Sequence, residues 1–270
     1  MSLPAGSAAA GVRPVAAAGL FYPAGAAELV STVDSLLAGA GPGPDAVAGL
    51  PALVVPHAGY RYSGSVAAAA YARIRGCRPA RVVLLGPSHF VPLAGSAVPC
   101  ATAWSTPLGS VRIDSAARDR AVAVPGVHAG DEPHAHEHAL EVQLPFLQRS
   151  IGPGVPVLPV ATGASPDEIG HLLDAVTSDA PTLVVVSTDL SHYLPDEDAR
   201  AWDARTVQAV LELRPDRVGS GSACGASALR GLLAWARGTG LSPSLLAYAT
   251  SAEAGADPRR VVGYGAFSLS

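Results

Sequence analysis

The sequence predicts an α/β protein with a largely parallel or mixed sheet, and three observations carry that reading. Short apolar runs (ALVV at 52–55, VVLL at 82–85, LVVVS at 183–187) are bounded by Pro, Gly or Ser, the pattern of strands buried on both faces. Segments of helical periodicity lie between them, as parallel strands require. Each run spills into a short loop that carries a histidine: PHAGY with His57, GPSHF with His89, and STDLSHY with Asp189 and His192. Polar loops at the carboxyl ends of such strands are where open α/β sheets place ligand sites.

The elements follow in order. Residues 13–23, RPVAAAGLFYP, form an N-terminal segment, preceded by residues 1–12, which are expected to be flexible. Helical periodicity runs through 26–38 and stops at GAGPGPD. Strand 52–55, a helix through SVAAAAYARIR and strand 82–85 read as a parallel βαβ unit with a right-handed crossover. AVPCATAWSTPLGSVRID is an excursion of short strands turning at Pro107–Gly109, followed by a helix at SAARDRAV with Asp114 as N-cap. DEPHAHEHALEVQLPFLQ places Leu140, Leu144 and Leu147 on one helical stripe, with Pro145 kinking that helix or ending it near residue 144. After the apolar run VPVLPVA, Ser165-Pro166-Asp167-Glu168 has the residues of a capping box with Pro at N1. A helix over 197–213, a turn at Cys224, a helix ASALRGLLAWAR and the runs LLAYATS and VVGYGAFSL complete the chain, the last alternating as a strand does.

Composition narrows the function classes. With 270 residues, 49% of them hydrophobic, there is ample material for one buried core, and no Ser- or Pro-rich linker divides residues 1–270 into separate domains. Net charge is −4 and all 18 basic residues are arginine, with no basic run to attract nucleic acid. No apolar stretch approaches the ~20 residues that span a bilayer. The start lacks a signal-peptide pattern, and the three cysteines are odd in number and widely spaced. A reduced, cytoplasmic protein is the simplest expectation.

The candidate chemistry centres on the three loops and on Cys224 in GSACGASAL. A cysteine at a helix start meets backbone N–H groups and the positive end of the helix dipole, which would lower its pKa and suit it as metal ligand or nucleophile. Asp189 and His192 form a D-x-x-H pair, in which the carboxylate could orient the imidazole. His138 and Glu141 at i, i+3, and Glu137 and Glu141 at i, i+4, would share a helical face. His134 and His136 are expected at the surface, His128 and His171 as structural residues, and Cys77 and Cys100 as small buried hydrophobes.

PHAGYRYSGSVAAAAY, LLGPSHFVPLAG, W-x-TPLG-x-VRID, EHALEVQLPFL, STDLSHY and CGASAL, after the opening RPVAAAGLFYP, together resemble the Memo family. Its bacterial and archaeal members are called AmmeMemoRadiSam system protein B. The resemblance implies a fold similar to class III extradiol ring-cleavage dioxygenases, a three-layer α/β/α sandwich around a largely parallel or mixed sheet. It implies one transition metal, Fe(II) first and Cu or Zn next, held by His57, His89 and Cys224. His192, Asp189 and His138 would act beside the metal, with Tyr60, Glu137 and Glu141 toward a substrate. The dioxygenases complete their triad with a carboxylate where this chain offers a thiol, and thiolate changes both metal preference and redox chemistry. A redox or oxygenase-like enzyme acting on a small molecule or peptide is the leading expectation. A non-catalytic peptide-binding module, working with radical-SAM and AMMECR-type proteins, is the second. A Cys/His hydrolase with Cys224 as nucleophile, His192 as base and Asp189 as orienter is the third.

Overall fold

Successive residues along the central strands supply two separate hydrophobic cores, one on each face of a sheet. The computed structural model describes residues 11–41 and 52–270. The first part contains β1 (Val12–Arg13), α1 (Ala26–Gly39), β2 (Ala52–Val55), α2 (Tyr60–Tyr71) and β3 (Arg81–Gly86). The middle adds β4 (Ser96–Val98), β5 (Ala103–Thr106), β6 (Gly109–Arg112), α3 (Ser115–Val122), β7 (Val127–Ala129), α4 (Glu132–Ala135) and α5 (Leu144–Ser150). The remainder is β8 (Val157–Thr162), α6 (Pro166–Thr177), β9 (Thr182–Ser187), β10 (His192–Leu194), α7 (Asp196–Leu211), α8 (Ala226–Thr239), β11 (Pro243–Thr250) and β12 (Val261–Leu269).

The main sheet has nine strands in the order β10-β12-β2-β9-β3-β8-β4-β7, with β11 also on β12, and β1, β5 and β6 form a small second sheet. β2, β9, β3 and β8 run parallel, while β12 and β4 join them antiparallel. The sheet is therefore mixed. Leu53, Val55, Val82, Leu84, Leu183 and Val185 pack with α1, α2 and α5 on one face. Ala52, Val54, Val83, Leu85, Val184 and Val186 pack with α3, α6, α7 and α8 on the other. This is the three-layer sandwich, and strands buried on both faces explain the unbroken apolar runs.

Local chemistry sets the element ends. Ser165 and Glu168 form the reciprocal capping box that starts α6, with Pro166 in its first turn. Asp114 accepts the Ala117 N–H at 2.8 Å and caps α3, as its sequence position predicts. The Pro107–Gly109 turn joins β5 and β6 as an antiparallel hairpin.

The strand–helix–strand unit is present, with β2 and β3 parallel in one sheet, and β9 lies between them and pairs with both. Other expectations are corrected. The helix after β2 begins at Tyr60, where the Tyr60 N–H donates to Phe21 O, earlier than the SVAAAAY periodicity indicates. Pro145 starts α5 instead of ending a helix, since a first-turn position needs no N–H donor. Residues 136–140 consequently lie outside any helix, and His138 shares no helical face with Glu141. Val12, placed in the flexible start, pairs in parallel with Ala103, and residues 1–10 lie outside the described residues, as do 42–51 with most of the Gly/Pro loop. No helix of the described residues is long and apolar enough to cross a membrane.

Arg81 fastens the β3 end of the sheet to its helices: its Nε donates to Asp114 at 2.8 Å, and its Nη1 to the Val176 carbonyl at 3.0 Å and to Asp179. Burial raises the Asp114 carboxyl, but the Ala117 N–H and the Arg81 guanidinium outweigh it and leave the pKa lowered. A depressed folded-state pKa contributes stability that is present above the unfolded value of ~4 and lost as pH falls through the folded one. Asp114→Ala, which removes a cap and one of the two carboxylates on Arg81, is expected to cost about 1–3 kcal/mol at neutral pH. Urea unfolding followed from pH 7 to pH 3 should show the gap from wild type shrinking on acidification.

Candidate metal centre

Because β2, β9 and β3 are adjacent and parallel, their carboxyl ends open on one edge, and the loops there carry His57, Asp189 and His89 side by side. The His57 and His89 rings meet edge-on with centroids 5.3 Å apart. His138 arrives from the irregular segment after α4, stacks on His89 at 4.9 Å and meets His57 edge-on at 5.5 Å. One ring nitrogen from each of the three lies within 4.8 Å of the other two, a spacing that can hold a metal ion. Phe21 also stacks on His138 at 4.1 Å.

Each imidazole is held by buried partners. The His57 backbone N–H donates to Asp189 Oδ1 at 2.7 Å, and the ring Nδ1 lies 3.0 Å from Ser187 Oγ. Its pKa is lowered to about 3 by burial, reinforced by the neighbouring His89. Glu137 accepts from the His89 backbone N–H at 2.6 Å, from His89 Nδ1 at 3.0 Å and from the Ala139 N–H at 2.8 Å. Burial alone would raise the Glu137 carboxyl; these donors overcome it and lower the pKa to about 2. The same pair raises the His89 pKa against the effect of burial. With Nδ1–H committed to a carboxylate, His89 keeps Nε2 as its free donor, the usual arrangement behind a metal-binding histidine. His138 is lowered to about 4, by burial first and His57 second. Burial raises the Asp189 carboxyl despite the backbone N–H groups it accepts.

Cys224 enters from the helix side. A Cβ on Gly225 would stand 2.8 Å from Thr188 Cβ and 2.9 Å from Ser187 O, so only glycine lets the start of α8 press this closely on the end of β9. That approach brings Cys224 Sγ to 3.1 Å from His57 Nε2, while the Asp189 N–H donates to Sγ at 3.3 Å. The thiol pKa is pushed up to about 12 by burial and then by the Asp189 charge, which corrects the expectation of a lowered one. The helix-start N–H contribution is present and is outweighed. Cys224 Sγ and His57 Nε2 are thus within hydrogen-bond distance of each other. Cys224 stands beside the three-histidine cluster, in contact with its His57 member.

The other sequence candidates divide. His192 directs Nδ1–H to the Leu190 carbonyl at 2.8 Å, so the backbone orients it, and Asp189 Oδ1 is occupied by the His57 and Ala58 N–H groups. The histidine in contact with Cys224 is thus His57, where the hydrolase expectation named His192 as the base. Glu137 positions His89. Glu141 is fully buried, with Arg13 at 2.5 Å, the Ala17 N–H at 2.8 Å and the Tyr22 hydroxyl at 2.6 Å on its oxygens, which makes it an anchor of the N-terminal segment and not a substrate group. Tyr60 donates its hydroxyl to the Val142 carbonyl at 2.6 Å and is likewise committed. His134, expected at the surface, is fully buried against Trp104, whereas His136 is exposed. Cys77 and Cys100 are half-buried.

Phe21, Ser187 and Gln143 were not singled out from the sequence. Each sits in a motif noticed for another residue, and only their contacts across the fold connect them to the histidines. Glu141→Ala is expected to lower the unfolding free energy by about 3–5 kcal/mol, because it strands the buried Arg13 guanidinium. Denaturant titration checks this, and a loss below 1 kcal/mol would contradict the anchoring role.

The family model described as "Memo-like protein" matches residues 13–268. A MEMO1 family protein of Aquifex aeolicus is 38% identical over 77% of this chain and 77% of its own length. Relatives of the same description from Methanopyrus kandleri and Aeropyrum pernix are 37% and 35% identical, each over 94% of this chain and 97% and 98% of their own lengths. From β1 through β12, the chain belongs to the Memo-like family.

Proposed function

We propose that this chain is a metal-dependent redox or oxygenase-like protein acting on a small molecule or peptide, with the metal held at the edge formed by β2, β9 and β3. The convergence of His57, His89 and His138 carries the reading. The donor chemistry fits a transition metal: three converging imidazoles and a thiol in contact with one of them suit Fe(II) first and Cu or Zn next. His57, His89 and Cys224 are the proposed ligands, with His138 as a further nitrogen donor. Bound there, the metal would supply Lewis-acid and redox chemistry.

The chain's own residues supply the rest. Glu137 holds His89 in its Nδ1–H form, and Asp189 fixes the His57 backbone. His192, with Nδ1–H on the Leu190 carbonyl, offers Nε2 as the atom that takes and returns a proton. Phe21 stacks on His138 and gives that side of the site an apolar cover. A cytoplasmic location and work alongside radical-SAM and AMMECR-type proteins belong to the same proposal.

The cluster geometry favours a second ligand set, three histidines with Cys224 outside. Anaerobic purification followed by metal analysis separates the two. Wild type is expected to carry about one metal per chain, with His57→Ala or His89→Ala removing it. Cys224→Ala also loses it under the first set and retains it under the second, where His138→Ala is the damaging change. Folded wild-type protein that stays metal-free when offered Fe(II), Cu and Zn would refute both.

A further inference from the structure

Behind His57 lies a chain of buried polar groups whose hydrogen-bond directions are dictated by two backbone carbonyls. Gln143 Nε2 lies 2.9 Å from the Pro56 carbonyl, which can only accept, so the amide nitrogen must face it. The same nitrogen donates to Ser187 Oγ at 2.9 Å, and Gln143 Oε1 is left to accept from the Tyr71 hydroxyl at 3.0 Å. Ser187 Oγ lies 2.7 Å from the Ala139 carbonyl, a second pure acceptor, so its one proton goes there. Its remaining lone pair faces His57 Nδ1 at 3.0 Å. Were Nδ1 bare, two lone pairs would oppose each other in a site where Ser187 is fully buried and Gln143 nearly so. An unmade hydrogen bond in such surroundings costs about 1–3 kcal/mol, enough to exclude that tautomer almost entirely.

We propose that Gln143 and Ser187 are positioning residues that lock His57 as its Nδ1–H tautomer and keep the unprotonated Nε2 turned toward Cys224 and the histidine cluster, where a ligand would bind. The order runs outward from Pro56 and Ala139, through two side chains, to the ring. Tyr71 only terminates it, since the Pro56 carbonyl orients Gln143 without help. The tautomer needs no metal to be present; its consequence for metal affinity rests on the function proposed above.

The direct test is a long-range nitrogen–proton correlation spectrum of metal-free, nitrogen-15-labelled wild type at about pH 8, where imidazoles are neutral. His57 is identified by its absence in His57→Asn. A protonated Nδ1 with a bare Nε2 is expected, and the reverse pattern would overturn the assignment. Zinc competition titrations then read the consequence. Ser187→Ala is expected to weaken zinc binding by about 10–100-fold, while Tyr71→Phe changes neither the spectrum nor the affinity. Ser187→Ala that folds with wild-type zinc affinity would refute the positioning role. Should Ser187→Ala fail to fold, the wild-type spectrum decides alone. Wild type that binds no zinc but shows the Nδ1–H form refutes the metal reading for zinc and upholds the tautomer lock.

Discussion

Parallel pairing of β9 with both β2 and β3 is the constraint from which the rest of the site follows. Parallel neighbours end at the same edge, so three loops distant in sequence are compelled to share one small volume. With β9 between them, the two histidine strands stand one strand apart, and the ends of β9 fill the gap with Ser187, Thr188 and Asp189. All three are buried and all three touch the His57 and Cys224 surroundings. A direct β2–β3 pairing would have left no backbone between the imidazoles to carry these groups.

Concentrating polar groups at a buried edge is costly unless every donor and acceptor is matched. Glu137 shows how the cost is met: a fully buried carboxylate stays ionised because His89 and Ala139 surround it with donors. The paired burial of Arg13 and Glu141 does the same for the N-terminal segment, which in turn sets Phe21 against His138. The small sheet and the segment from Arg13 to Tyr22 thus act on the site indirectly, through one ion pair and one stacked ring.

Much of the architecture was legible because it rests on local chemistry. Strands buried on both faces are written as apolar runs, and the Ser165 capping box and Asp114 cap announce helix starts within a few residues. The His57 and His89 loops were readable for the same reason. What was hidden depends on contacts between distant segments. Nothing local reveals that β9 separates β2 from β3, or that Glu141 is held by Arg13 while Glu137, in the same motif, serves His89. The reversed shift of Cys224 has the same origin: a helix start is visible in sequence, but the burial that outweighs it is a property of the packed fold.

β12 occupies an interior place in the sheet, bonded to β2, β10 and β11. Its register sets Phe267 opposite Val54, two residues from opposite ends of the folded chain. Contacts of such sequence separation close very large loops, whose entropy must be lost before the pairing contributes anything. Until β12 docks, β2 has one edge unpaired, so the strand that carries the His57 loop is completed in the sheet by a segment from the far end of the described chain.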